Sequence, residues 1–303
     1  MLYIILIFCF VLLIYFHIQY QLKQSDEMEV LNIEYQNKKQ LDKCLDIRQP
    51  CLISLNNIQG IQDIQDIVNE LNRGNMKVLN KHVDLHSDDL KIDRLNITQQ
   101  IPIVDGFKKI DNKNTNNIIT QNVEIQNDKK LLKSTSQLFK PELLYDTKCK
   151  YISGTEGKAT NFVSEISNRV FLFSIEGECL IRLMVPTSLE NNINTRELNY
   201  ISNLDVSDKD SLNKYDIIEI YLKQDQLLYI PNGWWYSIEF GERNSVLLLR
   251  YYTYMNLLAN MPLVFSKYIQ DEFNHIRVNY IKSDEINNNV TYKAKTQVPE
   301  LVV

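Results

Sequence analysis

From Leu2 to Leu22 the chain carries no fixed charge, and this stretch decides how the rest can be arranged. The run Leu-Tyr-Ile-Ile-Leu-Ile-Phe-Cys-Phe-Val-Leu-Leu-Ile-Tyr-Phe-His, continued by Ile18 to Leu22, matches the roughly 20 residues a helix needs to cross the hydrocarbon of a bilayer. An all-round apolar helix has no polar face to turn outward from a core. A cleaved signal peptide would show a basic n-region and a small-residue cleavage site, and this segment has neither. The expectation is a retained transmembrane anchor over residues 1–22, with a cleaved signal and a core helix as the weaker readings. Only Lys23 flanks its downstream end before Asp26, Glu27 and Glu29, so charge asymmetry leaves its orientation open.

The 303-residue chain as a whole has the composition of one with a globular body, 44% apolar and 23% charged. A net charge of −5 gives no basic footprint and argues against a nucleic-acid partner. The five cysteines, Cys9, Cys44, Cys51, Cys149 and Cys179, have neither zinc-site spacing nor a disulfide framework. A reducing compartment fits them, which places the expected single-pass body on the cytosolic side of its membrane. Abundant Asn, Ile and Lys beside only 8 Gly and 7 Pro look like AT-rich coding bias.

Residues 23–48 are polar and read as a stalk or linker; Met28, Leu31 and Tyr35 recur at helical spacing. Residues 49–139 read as an α/β extension: a strand at Pro50 to Leu55, an amphipathic helix at Ile61 to Leu71 and a strand at Met76 to Leu79. A polar insertion from Lys108 to Lys130 reads as a surface loop. Residues 140–275 are strand-rich. Cys149 to Ser153, Val170 to Ile175, Leu180 to Val185, Ile217 to Leu222, Leu227 to Ile230, Tyr236 to Phe240 and Val246 to Tyr252 are short β-branched or aromatic runs between turns. That is the pattern of an antiparallel sandwich or barrel. A closing helix is expected from Tyr254 to Phe273, bent near Pro262, with a polar tail over 276–303.

Two motifs in the strand-rich half carry a family resemblance. Leu227-Leu228-Tyr229-Ile230-Pro231-Asn232-Gly233-Trp234-Trp235-Tyr236 holds the chain's two tryptophans. It resembles the "D-x-L-x-I-P-x-G-W-W-H" signature of Jumonji-C and cupin-like (cupin-8, asparaginyl-hydroxylase-like) 2-oxoglutarate dioxygenases. Upstream, Tyr151 to Thr160 and Val170 to Pro186 resemble "W-I-G-x-x-G-x-x-T-x-x-H-x-D" and "N-L-L-x-Q-V-x-G-x-K-x-x-x-L-x-x-P". Gly157, Thr160, Gly177, Leu183 and Pro186 stand where that pattern wants them. The resemblance implies a mainly β body: a double-stranded β-helix (cupin, jelly-roll) barrel with an α/β extension, behind the transmembrane helix.

In that family, iron(II) sits on two imidazoles and one carboxylate. Counted from Thr160, the first imidazole and carboxylate positions hold Val163 and Glu165; counted from Gly177, they hold Ser164 and Ile166. The second imidazole position holds Tyr236, and the lysine that pairs with 2-oxoglutarate is replaced by Cys179, leaving Thr160 as the surviving cosubstrate position. Of the four histidines, His17 lies in the apolar segment and His275 beyond the last strand. His82-Val83-Asp84-Leu85-His86 contains a literal H-x-D, but it precedes the barrel and reads as a polar loop or strand end. No metal, cofactor or catalytic residue is therefore expected. Trp234 and Trp235 are candidates for lining a pocket, although paired tryptophans are more often core.

The leading functional expectation is a membrane-anchored, catalytically inactive cupin-like pseudoenzyme acting as a binding or structural module, its pocket left to take a protein, a peptide or a small molecule, or packed shut. A working hydroxylase with a relocated iron and 2-oxoglutarate site is the alternative. A structural membrane protein of a viral particle is a third, from the coding bias and the anchor.

Overall fold

The structure is a computed structural model. It describes residues 2–25, 27–54, 82–92, 95–102, 118–121, 123–125, 138–186, 200–201, 215–224, 226–241, 244–265 and 269. The chain divides into two units, Met1–Ala259 and Asn260–Val303. In the first, the helices are α1 (Leu2–Leu22), α2 (Lys38–Leu45) and α3 (Tyr254–Ala259). The early strands are β1 (Leu31–Glu34), β2 (Cys51–Ser54), β3 (His82–Ile92), β4 (Leu95–Pro102), β5 (Ile118–Gln121) and β6 (Val123–Ile125). The later ones are β7 (Leu144–Gly154), β8 (Phe162–Ser164), β9 (Arg169–Glu176), β10 (Cys179–Met184), β11 (Tyr200–Ile201), β12 (Ile217–Leu222), β13 (Gln226–Pro231), β14 (Trp235–Phe240) and β15 (Asn244–Thr253).

These strands form two sheets. The larger has ten, in the order β1-β2-β13-β9-β15-β7-β5-β3-β4 with β6 also on β7; the smaller is β11-β8-β14-β10-β12. Neither closes on itself among the described residues, so the body is mainly β without a closed barrel. Pairing is antiparallel except for β1 on β2. All seven strands expected between Cys149 and Tyr252 are present.

Around β13, β9 and β15 the larger sheet buries both faces. Along β15, Val246 and Leu248 join an apolar core with Ile181, Leu183, Ile238 and Phe240 of the smaller sheet. The alternate residues Leu247, Leu249 and Tyr251 join a second core on the opposite face. This is why β15 reads as an unbroken apolar run instead of an alternating one. Over the second face lie Leu41 and Leu45 of α2 together with Phe139. The Phe139 ring centroid is 5.0 Å from Phe171, which in turn is 5.6 Å from Tyr229. The Tyr229 hydroxyl donates to the Leu45 carbonyl (3.4 Å), and Arg169 pairs with Asp42 of α2 (2.7 Å).

Residues 23–48 therefore differ from the expected stalk. Leu31, Ile33 and Tyr35 pack against the core at the two-residue period of a strand; the helical spacing of Met28, Leu31 and Tyr35 is incidental. α2 begins at Asn37, whose side chain accepts from the Gln40 N–H (2.9 Å). Replacing Asn37 with alanine should lower stability by about 1 kcal/mol, measured by denaturant unfolding; a value near zero would show that α2 draws nothing from its cap.

The expected loop Lys108 to Lys130 contains β5 and β6. The helix expected at Ile61 to Leu71 and the strand at Met76 to Leu79 lie outside the described residues. His82 to His86 opens β3, an inner strand between β5 and β4. The expected closing segment is helical where it is described and is broken near Pro262: α3 ends at Ala259 and Asn260 forms a turn; residues 266–268 and 270–273 of the expected helix lie outside the described residues. In the second unit, residues 261–265 are helical, and Pro262 lies in the first turn, where its missing N–H is tolerated.

Tyr3–Leu22 of α1 has a mean hydropathy of 2.1 and none of it is buried. It is the one described helix long and apolar enough to cross a membrane.

Candidate functional site

One end of the space between the sheets holds a polar group. Tyr236, near the start of β14, lies directly opposite Val163 of β8 on one side and Leu183 of β10 on the other. Its hydroxyl donates to Glu165 Oε1 in a long hydrogen bond of 3.4 Å. Glu165 follows β8, and both its carboxylate oxygens lie 3.3 Å from Arg250 Nη1. Alternation along β15 puts Arg250 on the same inward face as Val246 and Leu248. The Arg250 and Glu165 side chains are only 11% and 12% exposed, so the Glu165 carboxylate draws compensation from Arg250. Burial, and then the neighbouring Glu165 charge, push the Tyr236 phenol well above its ordinary value. It is a neutral hydrogen-bond donor.

Of the two registers read from the sequence, the structure brings together the residues of one. Val163 and Tyr236 are a cross-strand pair and Glu165 meets the Tyr236 hydroxyl. Ser164 instead lies opposite Trp235. The other positions are not brought to this group. The Thr160 N–H donates to the Ile238 carbonyl (2.8 Å), and its Oγ1 accepts from the Ile238 N–H (2.9 Å). Its carbonyl accepts from Ser237 Oγ (2.6 Å), so Thr160 pins its segment along β14. Cys179 begins β10, four residues from Leu183, or roughly 13 Å at the rise of a strand. It is fully buried, and burial pushes its thiol up to about 12. Between these ends the interior is apolar, with Leu172, Ile181, Ile238 and Leu248 all at 0–1% exposure.

Trp234 and Trp235 do not share a surface. Trp234 leaves the Pro231–Gly233 turn, at the positive φ of 88° that Gly233 allows, and is 1% exposed in the core between the sheets. Trp235 packs with Phe162 and Met184 in a separate small cluster.

Arg250 escaped the sequence reading because Val246 to Tyr252 reads as one apolar strand. The available signal was a lone cation at an even-numbered position with Val246 and Leu248, on a face that must be buried.

The donors at this end do not fit a catalytic iron(II). Val163 supplies no ligand atom, the Tyr236 hydroxyl donates to Glu165, and the Glu165 carboxylate is held by Arg250. Among the described residues no cluster of three His, Cys, Asp or Glu side chains could hold a metal ion. The group is suited to holding two sheets in register. No protein-family model and no curated protein matches the chain.

Proposed function

We propose that the chain is a membrane-anchored, cupin-like jelly roll that has exchanged metal chemistry for a structural core and works as a protein-binding or scaffolding module. The fold reading is supported by strand order. From β7 to β15 the chain visits the larger sheet with β7, β9, β13 and β15, and the smaller with β8, β10, β12 and β14; setting aside the two-residue edge strand β11 of the smaller sheet, this resembles the winding of an eight-stranded jelly roll. The observation that carries the functional reading is the Arg250–Glu165–Tyr236 group. Two of its members, Glu165 and Tyr236, are the positions that the resemblance assigns to metal ligands, and the carboxylate is engaged in an ion pair. The anchor reading rests on α1, apolar all round and unburied, and takes α1 to be retained.

The full chain, purified without oxygen in detergent, should bind iron(II) at well below one equivalent. It should form no succinate from 2-oxoglutarate above a no-protein control. Stoichiometric iron with succinate formation overturns the proposal in favour of a hydroxylase. Carbonate washing tests the anchor: the full-length chain should stay with the membrane pellet, and its release into the supernatant would sink that part.

A further inference from the structure

The end of the sandwich that carries Tyr236 also carries contacts between the α1 end of the chain and the body. Gln21 Oε1 of α1 accepts from Asn168 Nδ2 (2.9 Å), in the loop between β8 and β9. The Gln24 side chain occupies the space a side chain at Gly233 would need, in the turn before β14. The Arg48 guanidinium lies over the Tyr20 ring, 5.5 Å from its centroid, and α3 packs beside α1.

The same end bears an apolar patch. β15 finishes there and turns into α3, with the Tyr254 N–H donating to the Leu143 carbonyl (3.3 Å) at the start of β7. Tyr254 and Tyr145 meet edge to face with centroids 5.2 Å apart. Yet Leu143, Tyr145 and Tyr254 are 65%, 56% and 59% exposed, with Leu258 one helical turn on at 36%. From Tyr251 to Ser266 the sequence has no charged residue.

We infer that this patch is a second membrane contact: Leu143, Tyr145, Tyr254 and Leu258 enter the headgroup boundary of the bilayer that α1 crosses. The inference rests on the anchor reading above. Two physical points choose lipid over a soluble partner. The patch adjoins a helix whose unburied apolar surface needs hydrocarbon around it, so their shared end faces the bilayer. Tyrosines, with an apolar ring and a polar tip, favour the level where the two media meet.

The test uses the full chain in lipid vesicles, with Cys9→Ser and Cys44→Ser to remove the less buried thiols. The other three, Cys51, Cys149 and Cys179, are buried with thiols pushed up to about 12, so they stay unlabelled. An environment-sensitive fluorophore is attached in turn at Leu258→Cys, Tyr254→Cys, Leu12→Cys and Tyr221→Cys. Tyr221 is 61% exposed at the opposite end of the sandwich, beside Leu180. Lipids spin-labelled near the headgroup should quench the Leu258 and Tyr254 probes at least twofold, those labelled at the chain terminus less, and neither should quench Tyr221. Leu258 and Tyr254 probes as unquenched as Tyr221, with the Leu12 probe quenched, overturn the patch and leave the anchor standing. An unquenched Leu12 probe overturns the anchor and the patch with it. Protection of Leu258 that follows protein density and not quencher depth assigns the surface to a second copy of the chain and overturns the proposal.

Discussion

Replacing Arg250 with alanine should lower the unfolding free energy by about 3–5 kcal/mol, because it strands the Glu165 carboxylate in a nearly dry site. In a domain of this size that is a loss on the order of 10 °C in melting temperature. The effect should belong to the pair, since the cost comes from the charge left behind. Glu165→Leu combined with Arg250→Met removes both charges and keeps the volume, and should sit within about 1 kcal/mol of the parent. Near-UV circular dichroism of the full chain in detergent, followed through denaturation, reads both. If Arg250→Ala costs less than about 1 kcal/mol, the group is solvated and its part in holding the sheets together is wrong.

Trp234 should behave as core, not as the wall of a ligand site. Trp234→Ala should cost about 3–5 kcal/mol, the range for emptying a large aromatic from a packed interior. Trp234→Phe should recover most of that, because Nε1 of Trp234 has no acceptor among the described residues, and the indole contributes shape more than a hydrogen bond. The same unfolding measurement decides. A Phe variant as unstable as the Ala variant would mean that the indole nitrogen has a partner that matters.

These two residues also mark what could be read in advance. The strands from β9 onward, apart from the two-residue β11, were legible because each is a short β-branched or aromatic run closed by a turn, and the Pro231–Gly233 turn fixed where Trp234 would leave it. Val163, by the count from Thr160, and Tyr236, from the second motif, were marked by the resemblance, while the count from Gly177 points to Ser164 and Ile166. β8 was not legible: three residues, Phe162–Ser164, are too few to show a period. β1 was hidden by its own alternation, since Leu31 and Ile33 are interrupted by Asn32 and Glu34 in a polar stretch that only pairing with β2 turns into a strand. Arg250 was hidden the opposite way, inside a run so apolar that one charge hardly altered it. Its meaning depends on Glu165, 85 residues away in sequence, and no local pattern carries information over such a distance.

The edge strand β1 has a mechanical consequence. It begins nine residues after α1 ends (Leu22 to Leu31) and pairs parallel with β2 through Leu31, Asn32, Ile33 and Glu34. β2 runs antiparallel to β13, whose far end at Pro231 leads into the turn that meets Gln24. The leading end of β1 thus points toward the helix, and tension carried through α1 runs along the strand axis. Its ladder is loaded in shear, with the paired hydrogen bonds resisting together, where a pull across the strand would open them one after another. The body is fastened to α1 in the direction in which a short strand holds best.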